Sequence, residues 1–127
     1  MSTHGYIHWN ELLTHDVEKT KAFYGATVGW TYSSMPMAGG SYWLFMPEGA
    51  DQPAGGMMKV PLGGDMPTDR WFTYLAVDDI DGALSRIAAH GGKVLRPAFD
   101  VPGVGRIAII EDATGAVMGW MTPVEAS

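Results

Sequence analysis

The sequence predicts an α+β protein built from two copies of one βαβββ unit. Three observations point there. The stretch 71–94, WFTYLAVDDIDGALSRIAAHGGKV, reads as a strand, an acidic turn, an amphipathic helix and a Gly-Gly stop. The stretch 9–31, WNELLTHDVEKTKAFYGATVGWT, reads the same way. At an offset of 63 residues Asp16 meets Asp79, Val17 meets Ile80, Glu18 meets Asp81, Tyr24 meets Ile87 and Gly29 meets Gly92. Two copies at so long a period indicate a duplicated module, not a solenoid. Finally, each helical stretch is followed by three short apolar runs punctuated by Gly and Pro, as strands and their turns are.

Module one is expected over about 5–60. Residues 5–13, GYIHWNELL, form its first strand, with Ile7, Trp9, Glu11 and Leu13 on one face and Tyr6, His8, Asn10 and Leu12 on the other. Asp16 suits a helix N-cap, and Glu18 suits the positive end of the helix dipole. Val17, Lys21, Tyr24 and Val28 fall on one helical face, with Phe23 and Thr27 beside it, and Gly29 ends the helix. Strands follow at 30–35, 41–46 and 55–60, with Gly39-Gly40 turning between the first two and PEGADQPAGG connecting to the third. Residues 61–70, PLGGDMPTDR, mix Pro, Gly and charge as a linker does.

Module two is expected over about 71–122. Its first strand, 71–77, puts Trp71, Thr73, Leu75 and Val77 on one face and Phe72, Tyr74 and Ala76 on the other. Asp79 caps a helix whose core face is Ile80, Leu84 and Ile87, with His90 in its last turn and Gly91 just past it. Strands follow at 93–99, 106–110 and 116–122, joined by DVPGVG and by the turn EDATG. The final VEAS is expected to fray. The helices cover one side of the sheets, and the other side is free to form a cavity.

A chain of 127 residues, 46% apolar, suits one domain over 1–127, because each module alone is too small to bury a sufficient core. With no cysteine, disulfides, thiolate metal sites and thiol nucleophiles are excluded, and a reducing, cytoplasmic setting is expected. MSTHGYIHWN carries no signal-peptide pattern, and no apolar run spans a bilayer. A net charge of −6 with eight scattered basic residues argues against nucleic acid and membrane as partners. Gly103 and Gly105 are not followed by a P-loop Lys, and no serine sits in a G-x-S-x-G elbow.

The fingerprints FYG with GW (Phe23, Tyr24, Gly25, Gly29, Trp30), VDD (Val77, Asp78, Asp79), GGKV (91–94) and FDVPGVGR (99–106) resemble the vicinal oxygen chelate superfamily of glyoxalase I, bleomycin-resistance proteins and extradiol dioxygenases. Small glyoxalase-like proteins are the nearest in look. The resemblance covers nearly the whole chain. It implies paired modules whose sheets curl into a cup with the helices outside, as in the glyoxalase/bleomycin-resistance/dioxygenase fold. It also implies metal ligands on the first and last strands of the modules. At those positions this chain has Trp9, Phe72 and Gly119, none of which can ligate a hard divalent ion. Neither Met58 nor Lys59 suits the fourth position. No metal and no other cofactor is therefore expected.

Glu11 is the candidate catalytic group. It shares a strand face with Trp9, toward the cup, and at the 63-residue offset it corresponds to Tyr74. A carboxylate in an aromatic wall has its charged form disfavoured and can serve as a general base, or it can simply shape the cavity through hydrogen bonds. Trp9, Trp43, Phe72 and Tyr74 are candidate aromatic lining, with ordinary core as the competing reading. Nine methionines suit an adaptable cavity or core. Arg106, beside the glycine-rich loop, is a candidate for holding an anionic ligand at the cavity mouth; the competing reading is a solvated loop charge or a salt bridge to Glu111 or Asp112. The histidines read as surface or capping groups: His4 and His8 lie off the cup face, His15 in a turn and His90 at a helix end.

The expected function is binding of a small organic molecule in an aromatic cavity, for sequestration or metal-free chemistry, by a homodimeric glyoxalase-like protein; pairing would cover apolar sheet edges. The alternatives are a metal-dependent lyase (lactoylglutathione-lyase-like) or extradiol-type dioxygenase using displaced ligands such as His8 and Glu11, and a non-catalytic interaction domain.

Overall fold

A computed structural model describes residues 3–37, 40–63 and 68–124. The elements are β1 (Ile7–Thr14), α1 (Val17–Val28), β2 (Thr31–Met37), β3 (Gly40–Met46), β4 (Gly55–Lys59), β5 (Arg70–Ala76), α2 (Ile80–Leu84), a 3₁₀ turn (Ala88–His90), β6 (Lys93–Val101), β7 (Gly105–Glu111) and β8 (Val117–Pro123). The order is βαβββ twice, the α+β class expected from the sequence. The chain divides into two compact units, Trp9–Phe72 and Met1–His8 with Thr73–Ser127. The expected Gly39-Gly40 turn, part of the 61–70 linker and the frayed end fall in part outside the described residues. No described helix is long and apolar enough to cross a membrane.

In the unit of residues 9–72 the strands run in the order β2-β3-β4-β1. β1 is parallel to β4, and the other pairs are antiparallel. The Asp16 side chain accepts from the Lys19 N–H at 3.0 Å and starts α1. Gly29 ends it at φ 79°, a conformation glycine adopts without a Cβ penalty. The helix closes over Leu12 and Met57 with its own Val17, and Tyr24, Tyr32 and Trp43 pack against this cluster. Val28, expected on the packed face, is 57% exposed. Lys21 does occupy that face: its ammonium lies 3.8 Å from the centre of the Trp43 ring while its stem covers apolar surface. Beside this core Trp30 stacks on Phe45 at 4.0 Å, and Trp71 stands edge-on to Phe45 at 5.8 Å.

The other unit has the order β5-β8-β7-β6, with β5 parallel to β8. The N-terminal residues join it: Gly5 N–H donates to Ala76 O at 2.8 Å, and Ala76 N–H donates to Tyr6 O at 2.9 Å. Asp79 caps α2 through the Gly82 N–H at 3.1 Å. The single helix expected from Ile80 to His90 is in fact broken after Leu84. Gly82 is a poor helix former, and the Ser85 hydroxyl donates to Gly82 O at 2.6 Å, which favours a turn over continuation. Val77, Ile80 and Ala108 form the core, with Leu75, Leu84, Ala98 and Trp120 packed on it. β6 runs two residues beyond its expected end. Its register slips between Arg96 and Phe99, where Pro97 has no N–H to give the ladder.

Candidate functional site

The strand alternation of β1 decides which residues meet. Leu12 belongs to the core under α1, so Trp9 and Glu11 take the face turned away from that helix. Glu11 is only 7% exposed there. In register it lies beside Gly56 of β4, which in turn lies beside Leu44 of β3. The Tyr42 ring lies against Gly56, so closely that a Cβ at Gly56 would strike its ring and hydroxyl. Trp9 Nε1–H donates to the Tyr42 hydroxyl at 2.9 Å. Trp9, Glu11, Tyr42 and Gly56 therefore share one wall: a buried carboxylate, a phenol, an indole and bare backbone. Such a wall can stack a flat apolar molecule and hydrogen-bond a polar group on it.

Sequence reasoning missed Tyr42. The signal was Gly55-Gly56 inside a strand, where glycine marks the close approach of another group.

Tyr74 and Gly119 are register partners on β5 and β8. Their neighbours Leu75 and Trp120 pack on the core under α2, so Tyr74 and Gly119 face away from that helix. Phe72 is 8% exposed and follows Trp71, whose ring joins the cluster of Trp30 and Phe45; alternation turns Phe72 to the opposite face.

Two expected lining residues point elsewhere. Trp43 lies on the helix face with Lys21 over it, opposite in direction to its neighbour Tyr42. Arg106 also faces its helix. Its Nε and a terminal nitrogen reach the two oxygens of Asp81 at 3.0 and 3.1 Å, and Asp100 adds a contact at 3.3 Å. Its salt-bridge partners are these two aspartates, where Glu111 or Asp112 was expected. Asp112 instead accepts from the Thr114 and Ala116 backbone N–H groups and the Thr114 hydroxyl, which hold its carboxyl below the usual range.

His4 Nδ1 accepts the Asp78 N–H at 3.0 Å. His15 donates to Asp69 from Nδ1 at 2.7 Å and from its backbone N–H at 3.0 Å, and the Thr14 hydroxyl donates to the same carboxylate at 2.7 Å. The His15 ring hydrogen bond foremost holds the Asp69 carboxyl below its ordinary range. His8 and Glu11 are an odd number of residues apart on β1 and point to opposite faces, so they cannot grip one ion together.

The metal of the resembling family does not fit the residues present. The Trp9 nitrogen spends its proton on Tyr42 and has no lone pair to offer, Phe72 has no donor atom and Gly119 has no side chain. Among the described residues no group of three or more His, Cys, Asp or Glu is placed to hold a metal ion.

Comparison with known proteins adds the family. The profile of the Glyoxalase/Bleomycin resistance protein/Dioxygenase superfamily matches residues 6–118. A Mycobacterium tuberculosis protein named "Putative glyoxylase CFP32" is 41% identical over 119 residues, covering 94% of this chain and 44% of its own length. The anthracycline biosynthesis protein DnrV of Streptomyces peucetius is 34% identical over 121 residues, covering 85% of this chain and 43% of its own. The chain thus spans less than half the length of these relatives. Among solved structures, methylmalonyl-CoA epimerase from Mycobacterium tuberculosis superposes with a TM-score of 0.65 at 17% identity, over 98% of this chain and 93% of the other. The Bacillus halodurans protein BH1468 superposes with a TM-score of 0.71 at 9% identity, over 97% of both chains. Fold, element order and family profile agree, and the chain belongs to the Glyoxalase/Bleomycin resistance protein/Dioxygenase superfamily.

Proposed function

We propose that this glyoxalase-like protein binds a small, flat organic molecule on the wall made by Trp9, Glu11, Tyr42 and Gly56, without the family's metal. The observation that carries the reading is the buried Glu11 beside bare backbone at Gly56, under the hydrogen-bonded pair Trp9 and Tyr42. An acid enclosed by aromatic groups is placed to hydrogen-bond a polar substituent on an otherwise apolar ligand, or to take a proton from it. Phe72, Tyr74 and Gly119 are proposed as ligand-binding groups on their own strands, Tyr74 being the counterpart of Glu11 in the second module. Trp43 and Arg106 are assigned structural duties in it, given the contacts they make. With −6 net charge the ligand is neutral or cationic, and neither nucleic acid nor membrane is a partner. A cytoplasmic homodimer completes the reading, supported by the lack of cysteine and by exposed apolar groups such as Phe23 and Ile7.

The test is a thermal-shift screen of aromatic and polyketide-like compounds on the wild type and on Glu11→Gln. A ligand present at one hundred times its dissociation constant adds about 2.7 kcal/mol. Stabilisation that Glu11→Gln weakens supports the reading; ligands that bind Glu11→Gln as tightly as the wild type remove Glu11 from it. Elemental analysis after dialysis against a chelator tests the metal-free half. Stoichiometric zinc, nickel, manganese or iron would overturn that half and favour the lyase or dioxygenase alternative.

A further inference from the structure

The second unit carries a cavity of about 380 Å³ on its helix face. That size falls within the roughly 300–1,000 Å³ of small-molecule sites. Its apolar lining is Leu75, Val77, Ala83, Ile87, Ile110 and Trp120. The cavity exists because α2 stops at Leu84 and the chain continues as turns, leaving the sheet thinly covered where a longer helix would have lain. It is on the opposite side of the sheet from Tyr74 and Gly119.

Two further features bear on what it takes. The Trp120 indole Nε1–H is buried and has no hydrogen-bond partner among the described residues. Buried indole N–H groups are normally paired, so an orphan in a cavity lining asks for an acceptor. Its charged lining residues are the cation Arg86 and the acids Glu111 and Asp112, with His4 and His90 beside them, so the lining offers no strong net attraction to an anion.

We propose that this cavity binds a small, neutral, mainly apolar molecule whose carbonyl oxygen accepts the Trp120 Nε1–H. Because that nitrogen is sealed from solvent, the acceptor reaches it as the segment 85–90 yields. Short-range hydrogen bonds hold that segment: Ser85 N–H to Asp81 O at 3.2 Å, Arg86 N–H to Ala83 O at 3.1 Å, Ile87 N–H to Leu84 O at 3.2 Å, His90 N–H to Ile87 O at 3.0 Å, Gly91 N–H to Ala88 O at 3.3 Å and Gly92 N–H to Ile87 O at 3.1 Å.

Nitrogen-15 labelling of the tryptophans gives each indole N–H its own NMR resonance, and the one missing from Trp120→Phe is that of Trp120. Titration with acetophenone is expected to move the Trp120 resonance saturably. Its isostere lacking the oxygen, α-methylstyrene, is expected to bind roughly fivefold more weakly, the worth of one net hydrogen bond. That preference is expected to vanish in Trp120→Phe, read from the backbone amides of Ile87 and Ile110. Ala83→Leu, which fills the cavity and keeps the indole, is expected to abolish the shift. A Trp120 resonance that stays still up to about 20 mM acetophenone, beyond the millimolar range of weak affinities, overturns the proposal. So does equal binding of the two probes to the wild type, or a shift that survives in a folded Ala83→Leu.

Discussion

At Gly56 a hydrogen atom stands where any side chain would strike the Tyr42 ring. Gly56→Ala is expected to push Tyr42 off Trp9 and to cost about 1–3 kcal/mol, the usual range for overpacking, read from urea unfolding. Trp9→Phe removes the 2.9 Å bond to the Tyr42 hydroxyl together with part of the indole's packing, so a cost of at least about 1 kcal/mol is expected by the same measurement. If Gly56→Ala matches the wild type, the close approach carries no weight. At this scale the sequence was legible where one strand face was polar or mixed: β1 had to set Leu12 against Trp9 and Glu11, and so it did. It was not legible in β3, where Tyr42 and Leu44 alternate with Trp43 and Phe45. Both faces are apolar, so nothing in the pattern said which side met the helix. The ion-pair partners of Arg106 were not legible for a related reason. Its partners Asp81 and Asp100 are 25 and 6 residues away, and only the fold brings Asp81 to it.

Among the elements, the helix starts were the most legible features because an N-cap is a local interaction. Asp16 and Asp79 each cap as their position in the sequence foretold. Asp16→Ala is expected to cost about 0.5–2 kcal/mol in urea unfolding. The helix end in the second module was illegible, since the periodicity of Ile80, Leu84 and Ile87 continues past the point where Ser85 turns the backbone. A second clasp, unseen in the sequence, joins the chain just before β5 to the turn before α1: Asp69 accepts from Thr14 and twice from His15. Its carboxyl is held low, so the folded state binds that proton less readily than the unfolded chain does. The clasp is then fully present above the unfolded carboxyl pKa of about 3.9 and is lost as pH falls through the lower folded value. Asp69→Asn is expected to flatten the acid limb of a stability–pH curve. An acid limb as steep as that of the wild type would mean that Asp69 does not couple to folding.

For the whole molecule, the open question is how many copies work together. The relatives that match 94% and 85% of this chain devote only 44% and 43% of their own length to doing so, which leaves each room for a second segment of similar size. This chain meanwhile exposes apolar groups that a lone monomer gains nothing by showing to water: Tyr6 at 70%, Phe23 at 59%, Ile7 at 56% and Trp71 at 45%. A second copy of the chain packed against these groups would take them out of water. Sedimentation equilibrium is expected to return twice the 13.7 kDa of the chain. Because dissociation then accompanies unfolding, the melting temperature is expected to rise with protein concentration, which a monomer cannot show. Ionic strength separates the causes: an interface built on these apolar groups holds its mass in high salt, whereas one built on exposed charge pairs weakens. A mass of one chain at every concentration, with a melting temperature that does not move, would leave those four side chains to some other partner.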